Sequence, residues 1–331
     1  MDLKKVRFVR QWGIAGLAAA TLMATPALAL FGSRADKEAP AAEGAPIAKA
    51  LELRTYRNIP YHAQFLAVDE EGDSLTYSVE KEPKRGTVTV EGDTFTYTPA
   101  ENRTGTDSFT YVATDAQGNV SAPATVTITV EKTKSGVQYA DMDGSAAAAA
   151  AQALAENGIF TGSRLGDQYF FEPDRTVSRG EFLAMTMETA GLDASPVTMT
   201  GFCDDEAIPT WAKAYAAAGL TDGVIEGTAA ADGVAFRSGE PITYNEAAAI
   251  LNRVLSVGDV DLTTWYAGRE AVPSWAAQAV GNMEAVSVLA AGSFGSSGLD
   301  RGVTREDAAE MLAAAGTLLA GEPAGLLDWL K

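Results

Sequence analysis

Val177-Ser178-Arg179-Gly180-Glu181 is the stretch that decides the fold, because the chain repeats its pattern twice. The copies are Ile242-Thr243-Tyr244-Asn245-Glu246 and Val303-Thr304-Arg305-Glu306-Asp307. We name the three stretches box 1 (177–181), box 2 (242–246) and box 3 (303–307). Each box is an apolar residue, a hydroxyl residue, two variable positions and an acid, and an apolar helical run follows it. The boxes start 65 and 61 residues apart, and a period of this size predicts three copies of one structural unit.

Each box also predicts the start of a helix. A Ser or Thr with Glu or Asp three residues later is a capping box, in which the hydroxyl accepts from an early helix N–H and the acid accepts from the N–H of the cap residue. The predicted helix-capping residues are Ser178, Glu181, Thr243, Glu246, Thr304 and Asp307. The cap does not need Arg179 or Arg305, and a cation at the first helical position opposes the helix dipole. We therefore expect these two arginines to take part in a binding site.

Composition excludes several kinds of function. The chain has 331 residues and a formal net charge of −19, and the charge is −22 without the first 29 residues. A body this acidic does not bind nucleic acid through a general basic field. Cys203 is the only cysteine and His62 the only histidine, which excludes an internal disulfide framework and zinc sites with several Cys or His ligands.

The N-terminal segment has the pattern of an export signal. Lys4, Lys5, Arg7 and Arg10 precede an apolar stretch that ends in Ala27-Leu28-Ala29, which fits cleavage after Ala29. We predict a signal peptide at 1–29 and a flexible linker at 30–48, and the alternative for 1–29 is an uncleaved anchor. No other stretch is long and apolar enough to cross a membrane, so the mature chain is predicted to be secreted.

Residues 49–132 alternate apolar and polar side chains, with turns such as Glu91-Gly92-Asp93 and Gln117-Gly118-Asn119 between the runs. This pattern predicts a small antiparallel β-sandwich of about seven strands. The sequence resembles bacterial immunoglobulin-like and cadherin-like modules in the stretches 69–77, 86–88, 95–99 and 105–111. The resemblance implies a spacer or adhesive module.

Acids in the sandwich are weak candidates for calcium ligands. Asp69, Asp73 and Asp107 could supply hard oxygen ligands, but their spacing matches no single-loop calcium motif. We favour the alternative that these acids solvate turns. No other cofactor is expected.

From residue 139 the composition turns to Ala, Leu, Met and Gly at helical spacing. The repeats are predicted at 139–193, 201–257 and 265–320, after a hinge at 133–138 and before a C-terminal tail at 321–331. Their shared parts are an aromatic-x-Asp opening, a first helix, a glycine-rich turn, a Phe-x-Pro-like turn, the box and a second helix. The opening is Tyr139-Ala140-Asp141 in repeat 1 and Phe202-Cys203-Asp204 in repeat 2.

These shared parts, with a Trp in the first helix, resemble S-layer homology (SLH) modules, and three in tandem is the usual number. The resemblance covers about 139–320. It implies an all-α, pseudo-threefold bundle in which the repeats pack together. It also implies grooves that hold anionic secondary cell-wall polysaccharide, often with pyruvate ketals. Repeats that each expose one apolar face must bury it against neighbours, which is consistent with such an assembly.

The predicted polysaccharide-binding residues are Arg179, Arg305, Tyr244, Trp211 and Trp275. A guanidinium can hold a carboxylate with two parallel hydrogen bonds, and a helix N-terminus adds N–H donors. A tryptophan can cover a sugar face, although both tryptophans could equally be core residues and both arginines could be solvated charges. Tyr244 replaces arginine in box 2, so we expect that groove to be degenerate.

Repeat 3 departs furthest from the pattern. It has Gly268 in place of the opening Asp, and Leu299-Asp300-Arg301 in place of Phe-x-Pro. The leading hypothesis is a non-catalytic exported surface protein anchored to the bacterial cell wall by its repeats, and the partner is the wall-linked polysaccharide. The alternative is a structural S-layer or envelope protein that self-assembles into a lattice. An enzyme is disfavoured because no paired-carboxylate or nucleophile–base signature stands out.

Overall fold

The computed structural model describes residues 44–265, 272–290 and 297–321. The predicted signal peptide, most of the predicted linker, Gly268 and the C-terminal tail beyond Gly321 lie outside these residues. The described chain divides into two compact units, one ending at Thr133 and the other beginning at Lys134. No helix in the described ranges is both long and apolar enough to span a bilayer.

The first unit is built from strands. They are β1 (Ile47–Ala48), β2 (Leu51–Tyr56), β3 (Tyr61–Gln64), β4 (Ala67–Val68), β5 (Thr76–Lys81), β6 (Gly86–Glu91), β7 (Thr94–Pro99), β8 (Gly105–Thr114) and β9 (Ala124–Glu131). One sheet has the order β2-β9-β8-β5, a second has the order β3-β7-β6, and β1 pairs with β4. Two details correct the sequence prediction. Strand β2 runs parallel to β9, so the sandwich is not wholly antiparallel, and β1 lies inside the predicted linker.

Alternating residues of the two sheets form the core of the first unit. The buried side chains include Phe95, Tyr97, Phe109 and Tyr111, and burying aromatic rings of this size is the main contribution to the stability of a small sandwich. The hydroxyl of Tyr111 lies 2.6 Å from the carbonyl oxygen of Lys49 and 2.6 Å from that of Leu66. This contact ties the start of the unit to the strand β8.

The second unit contains helices and two short hairpins. Its elements are α1 (Ala148–Glu156), β10 (Ser163–Leu165), β11 (Gln168–Phe170), α2 (Arg179–Ala190), α3 (Thr210–Thr221), β12 (Thr228–Ala230), β13 (Gly233–Ala235), α4 (Tyr244–Leu255), α5 (Leu262–Trp265), α6 (Ala277–Ala285) and α7 (Arg305–Leu319). Short 3-10 helices span Asp205–Ala207 and Ser297–Asp300. The hairpins β10–β11 and β12–β13 show that the unit is not all-α. Their strands are three residues long, too short for the alternation that predicts a strand from sequence.

The helices pack across the repeats rather than within them. The helices that follow the boxes, α2, α4 and α7, contact one another. Helix α1 packs against α7, α3 against α2, and α6 against α4. Each first helix therefore buries its apolar face on the second helix of a different repeat, so one repeat cannot form this core alone.

Candidate functional site

The three boxes hydrogen-bond to one another in a closed ring. The backbone N–H of Ile242 donates to the carbonyl oxygen of Val177 (3.0 Å), that of Val303 to Ile242 (2.8 Å), and that of Val177 to Val303 (2.9 Å). All three apolar residues are fully buried. The first residue of each box thus places the three helix starts around one point.

Each of the three boxes forms both hydrogen bonds of a capping box. In box 1 the Ser178 hydroxyl accepts from the N–H of Glu181 at 3.2 Å, and the Glu181 carboxylate accepts from the N–H of Ser178 at 2.8 Å. The helices α2, α4 and α7 begin directly after the cap, at Arg179, Tyr244 and Arg305. The residue that follows the cap in each box is therefore the first residue of a helix.

Arg179 joins box 1 to repeat 2, and we name this contact the first junction. Its Nε donates to the carbonyl oxygen of Phe236 at 3.0 Å, and its Nη1 lies 2.5 Å from a carboxylate oxygen of Glu246. Arg179 is only 8% exposed. The backbone N–H groups of Arg179 and Gly180 donate to the carbonyl oxygens of Glu240 and Ser238. A Cβ on Gly180 would lie 2.3 Å from the Ser238 hydroxyl, so glycine permits this close approach.

Arg305 joins box 3 to repeat 1 in the same way, and we name this contact the third junction. Its Nη1 donates to the carbonyl oxygen of Phe171 at 2.8 Å and lies 3.1 Å from Oε2 of Glu172. Arg305 is 7% exposed. The N–H groups of Arg305 and Glu306 donate to the carbonyl oxygens of Arg175 and Pro173.

These contacts change the interpretation of the two arginines. The sequence pattern predicts an anion site made of a guanidinium and helix N–H donors, with a solvated surface charge as the alternative. Instead both guanidinium groups are buried, and the first N–H groups of α2 and α7 donate to a neighbouring repeat. A charged donor on a buried carbonyl gains more than the unfavourable position at the helix dipole costs. The arginines therefore join repeats, whatever else they bind.

Two acids that the sequence analysis placed in the repeat opening hold the turns that these arginines contact. The carboxylate of Asp141 accepts from the N–H groups of Phe171 and Glu172 at 2.8 and 2.7 Å. Asp204 accepts from those of Phe236 and Arg237, both at 2.8 Å. Glu172 and Arg237 each have a φ of 56°, a left-handed conformation that needs such support.

The opening acid and the Phe-x-Pro turn are replaced together in repeat 3. Where the opening acid is replaced by Gly268, the Phe-x-Pro turn is replaced as well, and the 3-10 helix Ser297–Asp300 stands there instead. In repeats 1 and 2, where the acid is present, it holds the turn. The shared absence in repeat 3 was the signal in the sequence that could have assigned the acid its role.

Tyr244 and Arg301 form the second junction, between box 2 and repeat 3. The Nη2 of Arg301 donates to the Tyr244 hydroxyl at 2.6 Å, and its Cζ lies 4.4 Å from the centre of the Tyr244 ring. Its Nη1 also lies 3.3 Å from the Asp307 carboxylate. The expected degenerate groove therefore contains a guanidinium, supplied by the residue that replaces the proline of Phe-x-Pro. In the sequence, Arg301 is recognisable only as a departure from the motif.

The two predicted tryptophans lie at the surface of the second unit. Trp211 on α3 is 51% exposed and Trp275 is 61% exposed, so the alternative that they are core residues is wrong. Trp275 lies in the turn before α6 rather than within a helix. Cys203 is also exposed, whereas its neighbour Phe202 is buried in the core.

Asp107, one of the weak calcium candidates, is instead a buried acceptor of four protein hydrogen bonds. It accepts from the N–H groups of Lys84, Arg85 and Ser108 and from the hydroxyl of Tyr97. Burial opposes ionisation, but these donors outweigh it and hold the pKa of Asp107 below its ordinary value. Its lone pairs are therefore used by the fold, which contradicts a ligand role.

The other two calcium candidates, Asp69 and Asp73, lie in the loop before β5. There the Oδ1 of Asp69 accepts from the N–H of Asp73 at 3.0 Å. In the described ranges no group of three His, Cys, Asp or Glu side chains is placed to hold a metal ion.

Comparison with known proteins identifies the first unit. Residues 43–129 match the family model of the bacterial Ig domain. No SLH model matches the repeats, and no curated protein matches the chain.

Solved structures share only part of the chain. A variant of the endo-fucoidan hydrolase MfFcnA4, from glycoside hydrolase family 107, is 26% identical over 28% of this chain and 14% of its own, with a TM-score of 0.23. The fibronectin(III)-like modules of Clostridium thermocellum CbhA are 19% identical over 27% of this chain and 48% of theirs, with a TM-score of 0.21. A mutant of the SrpA adhesin of Streptococcus sanguinis is 17% identical over 30% of this chain and 63% of its own, with a TM-score of 0.22.

This chain thus spans less than two thirds of each of these proteins. Its N-terminal β-rich region is a bacterial Ig-like domain, the kind of domain that suggests an extracellular surface protein.

Proposed function

We propose that the protein is a non-catalytic, exported surface protein whose three repeats are SLH modules that anchor it to the cell wall. The ligand is an anionic secondary cell-wall polysaccharide, and the Ig-like domain is a spacer or adhesion module. The SLH assignment is supported by the closed ring of boxes and by the packing of each first helix on another repeat. Export is supported by the N-terminal pattern and by the Ig-like domain.

One observation carries the choice of ligand. Each of the three junctions places a guanidinium against an aromatic ring, with Cζ-to-centroid distances of 5.8 Å for Arg179 on Phe236, 4.4 Å for Arg301 on Tyr244 and 4.9 Å for Arg305 on Phe160. Phe160 and Tyr244 are partly exposed, and a cation beside such a ring is suited to a ligand that carries both a carboxylate and a sugar face. Phe236 is fully buried, so the first junction offers no ring face to a sugar. Such local cationic points are needed because the protein as a whole is strongly acidic.

Trp211 and Trp275 supply further sugar-contact surface on this proposal, because both are exposed and an indole ring can pack against the apolar face of a sugar. We expect Trp211→Ala and Trp275→Ala each to weaken binding of the full chain to purified cell walls by about tenfold, with unchanged helical circular dichroism. Co-sedimentation with walls measures the half-saturating protein concentration.

The matched control is Leu165→Ala, which removes another exposed apolar side chain of the same unit. It should bind walls as the wild type does. Equal binding by all four proteins would contradict a role for the tryptophans. Sedimentation of the wild type without walls would instead indicate self-assembly.

A further inference from the structure

The first unit contains a polar cleft where β8 extends beyond the end of β5. Residues 110–114 of β8 pair with β5, whereas residues 105–109 pair with β9 alone. The pairing of β5 with β8 shifts register between Val79 and Lys81, and β5 ends at Lys81. The chain then turns through 82–85 before β6 and leaves a cleft of about 210 Å³ beside this part of β8. The cleft is lined by Lys81, Glu82, Lys84, Arg85, Thr106, Asp107 and Ser108.

The buried Asp107 fixes the turn that forms one wall of the cleft. Its carboxylate accepts from the backbone N–H groups of Lys84 at 3.0 Å and of Arg85 at 2.7 Å. The Nη1 of Arg85 donates in addition to the carbonyl oxygen of Thr104 at 2.9 Å. Because backbone N–H groups and the Tyr97 hydroxyl already satisfy Asp107, the Lys84 ammonium is not needed as its partner. The turn therefore positions two cations at the cleft without using the lysine's charge.

The cleft has three cationic side chains, Lys81, Lys84 and Arg85, and none of them forms an ion pair with a described residue. All three are exposed. Against the carboxylates of Glu82 and Asp107 they give the lining a net positive charge, although the whole chain has a formal net charge of −19. In the second unit, by contrast, every described arginine is in an ion pair, namely Arg164, Arg175, Arg179, Arg237, Arg253, Arg301 and Arg305.

The lining favours a compact anion with several oxygens, attached to a polar group. Lysine ammonium groups act as point charges, while a guanidinium donates through a planar fork. Thr106 and Ser108 on β8 are exposed and add hydroxyls that suit a sugar. The described lining contains no apolar residue, so it offers no pocket to the large apolar anchors of a protein partner. Its volume is below the roughly 300 Å³ at which pockets for drug-sized ligands begin, so one charged group and its immediate surroundings fit.

We propose that this cleft binds a phosphate or sulfate ester carried by a glycan. The ester oxygens accept hydrogen bonds from Lys81, Lys84 and Arg85, and hydroxyls of the sugar contact Thr106 and Ser108. The site belongs to the Ig-like domain. It therefore adds a second glycan contact to the wall anchoring proposed for the repeats and does not depend on that anchoring.

Titration of the full chain, followed through its amide NMR signals, tests the site directly. We expect glucose 6-phosphate to shift the signals of residues 84, 85 and 106–108 saturably, with a Kd on the order of 1 mM. Glucose 6-sulfate should bind about threefold more weakly at neutral pH, because the phosphate ester carries about −1.5 to −2 charges there. A tighter sulfate would identify the sulfate ester as the ligand instead. Neutral glucose should leave these signals unshifted.

Charge-removing variants separate the cleft from general attraction. Lys81→Gln and Lys84→Gln should each raise the Kd about fivefold, because each removes one charged donor. Glu82→Gln should lower the Kd about threefold, because it removes an exposed carboxylate that repels the ester. Lys132→Gln removes an exposed lysine of the same unit that does not line the cleft. It is the matched control, with a Kd expected within about twofold of the wild type. None of these surface changes should alter the thermal unfolding temperature appreciably.

Three results would overturn the proposal. One is that neither ester shifts the signals of residues 84, 85 and 106–108, and another is that glucose shifts them equally. The third is that Lys84→Gln and Lys132→Gln raise the Kd by the same factor, since general attraction to a lysine-bearing surface would then explain the binding. A Kd that rises in Lys84→Gln, falls in Glu82→Gln and stays unchanged in Lys132→Gln would support the cleft as the site.

Discussion

Replacing Arg305 by alanine should destabilise the helical unit by about 3 kcal/mol, because the guanidinium is buried and joins two repeats. The change leaves the Phe171 carbonyl without its charged donor at 2.8 Å, which alone costs about 1–3 kcal/mol when the carbonyl is buried. It also removes the apolar stem of a side chain that packs on Phe160. Denaturant unfolding measures the loss, followed by the helical circular dichroism signal, since the described helices all belong to this unit.

Arg175→Ala is the matched control for the arginine prediction. It removes the same group from a position where the side chain is 53% exposed, and exposed ion pairs contribute about 0–1 kcal/mol. If Arg305→Ala and Arg175→Ala shift the unfolding midpoint equally, then the third junction does not hold the repeats together. Arg305→Lys should recover part of the loss, because an ammonium can still donate to the carbonyl but cannot stack as a planar group.

Asp204→Ala should cost a similar amount, about 3 kcal/mol, because one carboxylate satisfies two backbone N–H groups at the same turn. Both hydrogen bonds, to Phe236 and Arg237, are 2.8 Å long. Without them the left-handed conformation of Arg237, with a φ of 56°, loses its support. The same turn presents the Phe236 carbonyl to Arg179, so the first junction should loosen with it.

Two other variants make the Asp204 prediction specific. Asp204→Asn retains one acceptor oxygen and should cost about half as much. Asp232→Ala removes an exposed acid from the hairpin of the same repeat and should cost less than about 0.5 kcal/mol, as surface changes usually do. An equal effect of Asp204→Ala and Asp232→Ala on the unfolding midpoint would show that the opening acid does not hold the turn.

Local patterns in the sequence predict much of this structure. Ser178 with Glu181 predicts a cap because the interaction spans only three residues, and α2 starts where that pattern places it. Alternation in 49–132 predicts a sandwich because side chains on a strand point to opposite faces in turn. Both features depend on neighbours in sequence, which a single chain displays directly.

Contacts between residues that are distant in sequence cannot be predicted from such local patterns. Nothing near Arg305 in sequence indicates that it donates to Phe171, 134 positions away. Arg301 departs from the repeat motif, and only the structure shows that it contacts Tyr244. The parallel pairing of β2 with β9 likewise joins the two ends of the first unit's sequence. Periodicity establishes which face of an element is buried, but not which partner covers it.

Binding of the full chain to native and to de-pyruvylated cell-wall polysaccharide tests the central claim most directly. The account predicts saturable binding to the native polymer and at least about a tenfold loss once the ketal carboxylates are removed, because the polymer then offers no carboxylate to the guanidinium groups at the junctions. Equal binding to the two polymers, or no binding to either, would contradict it.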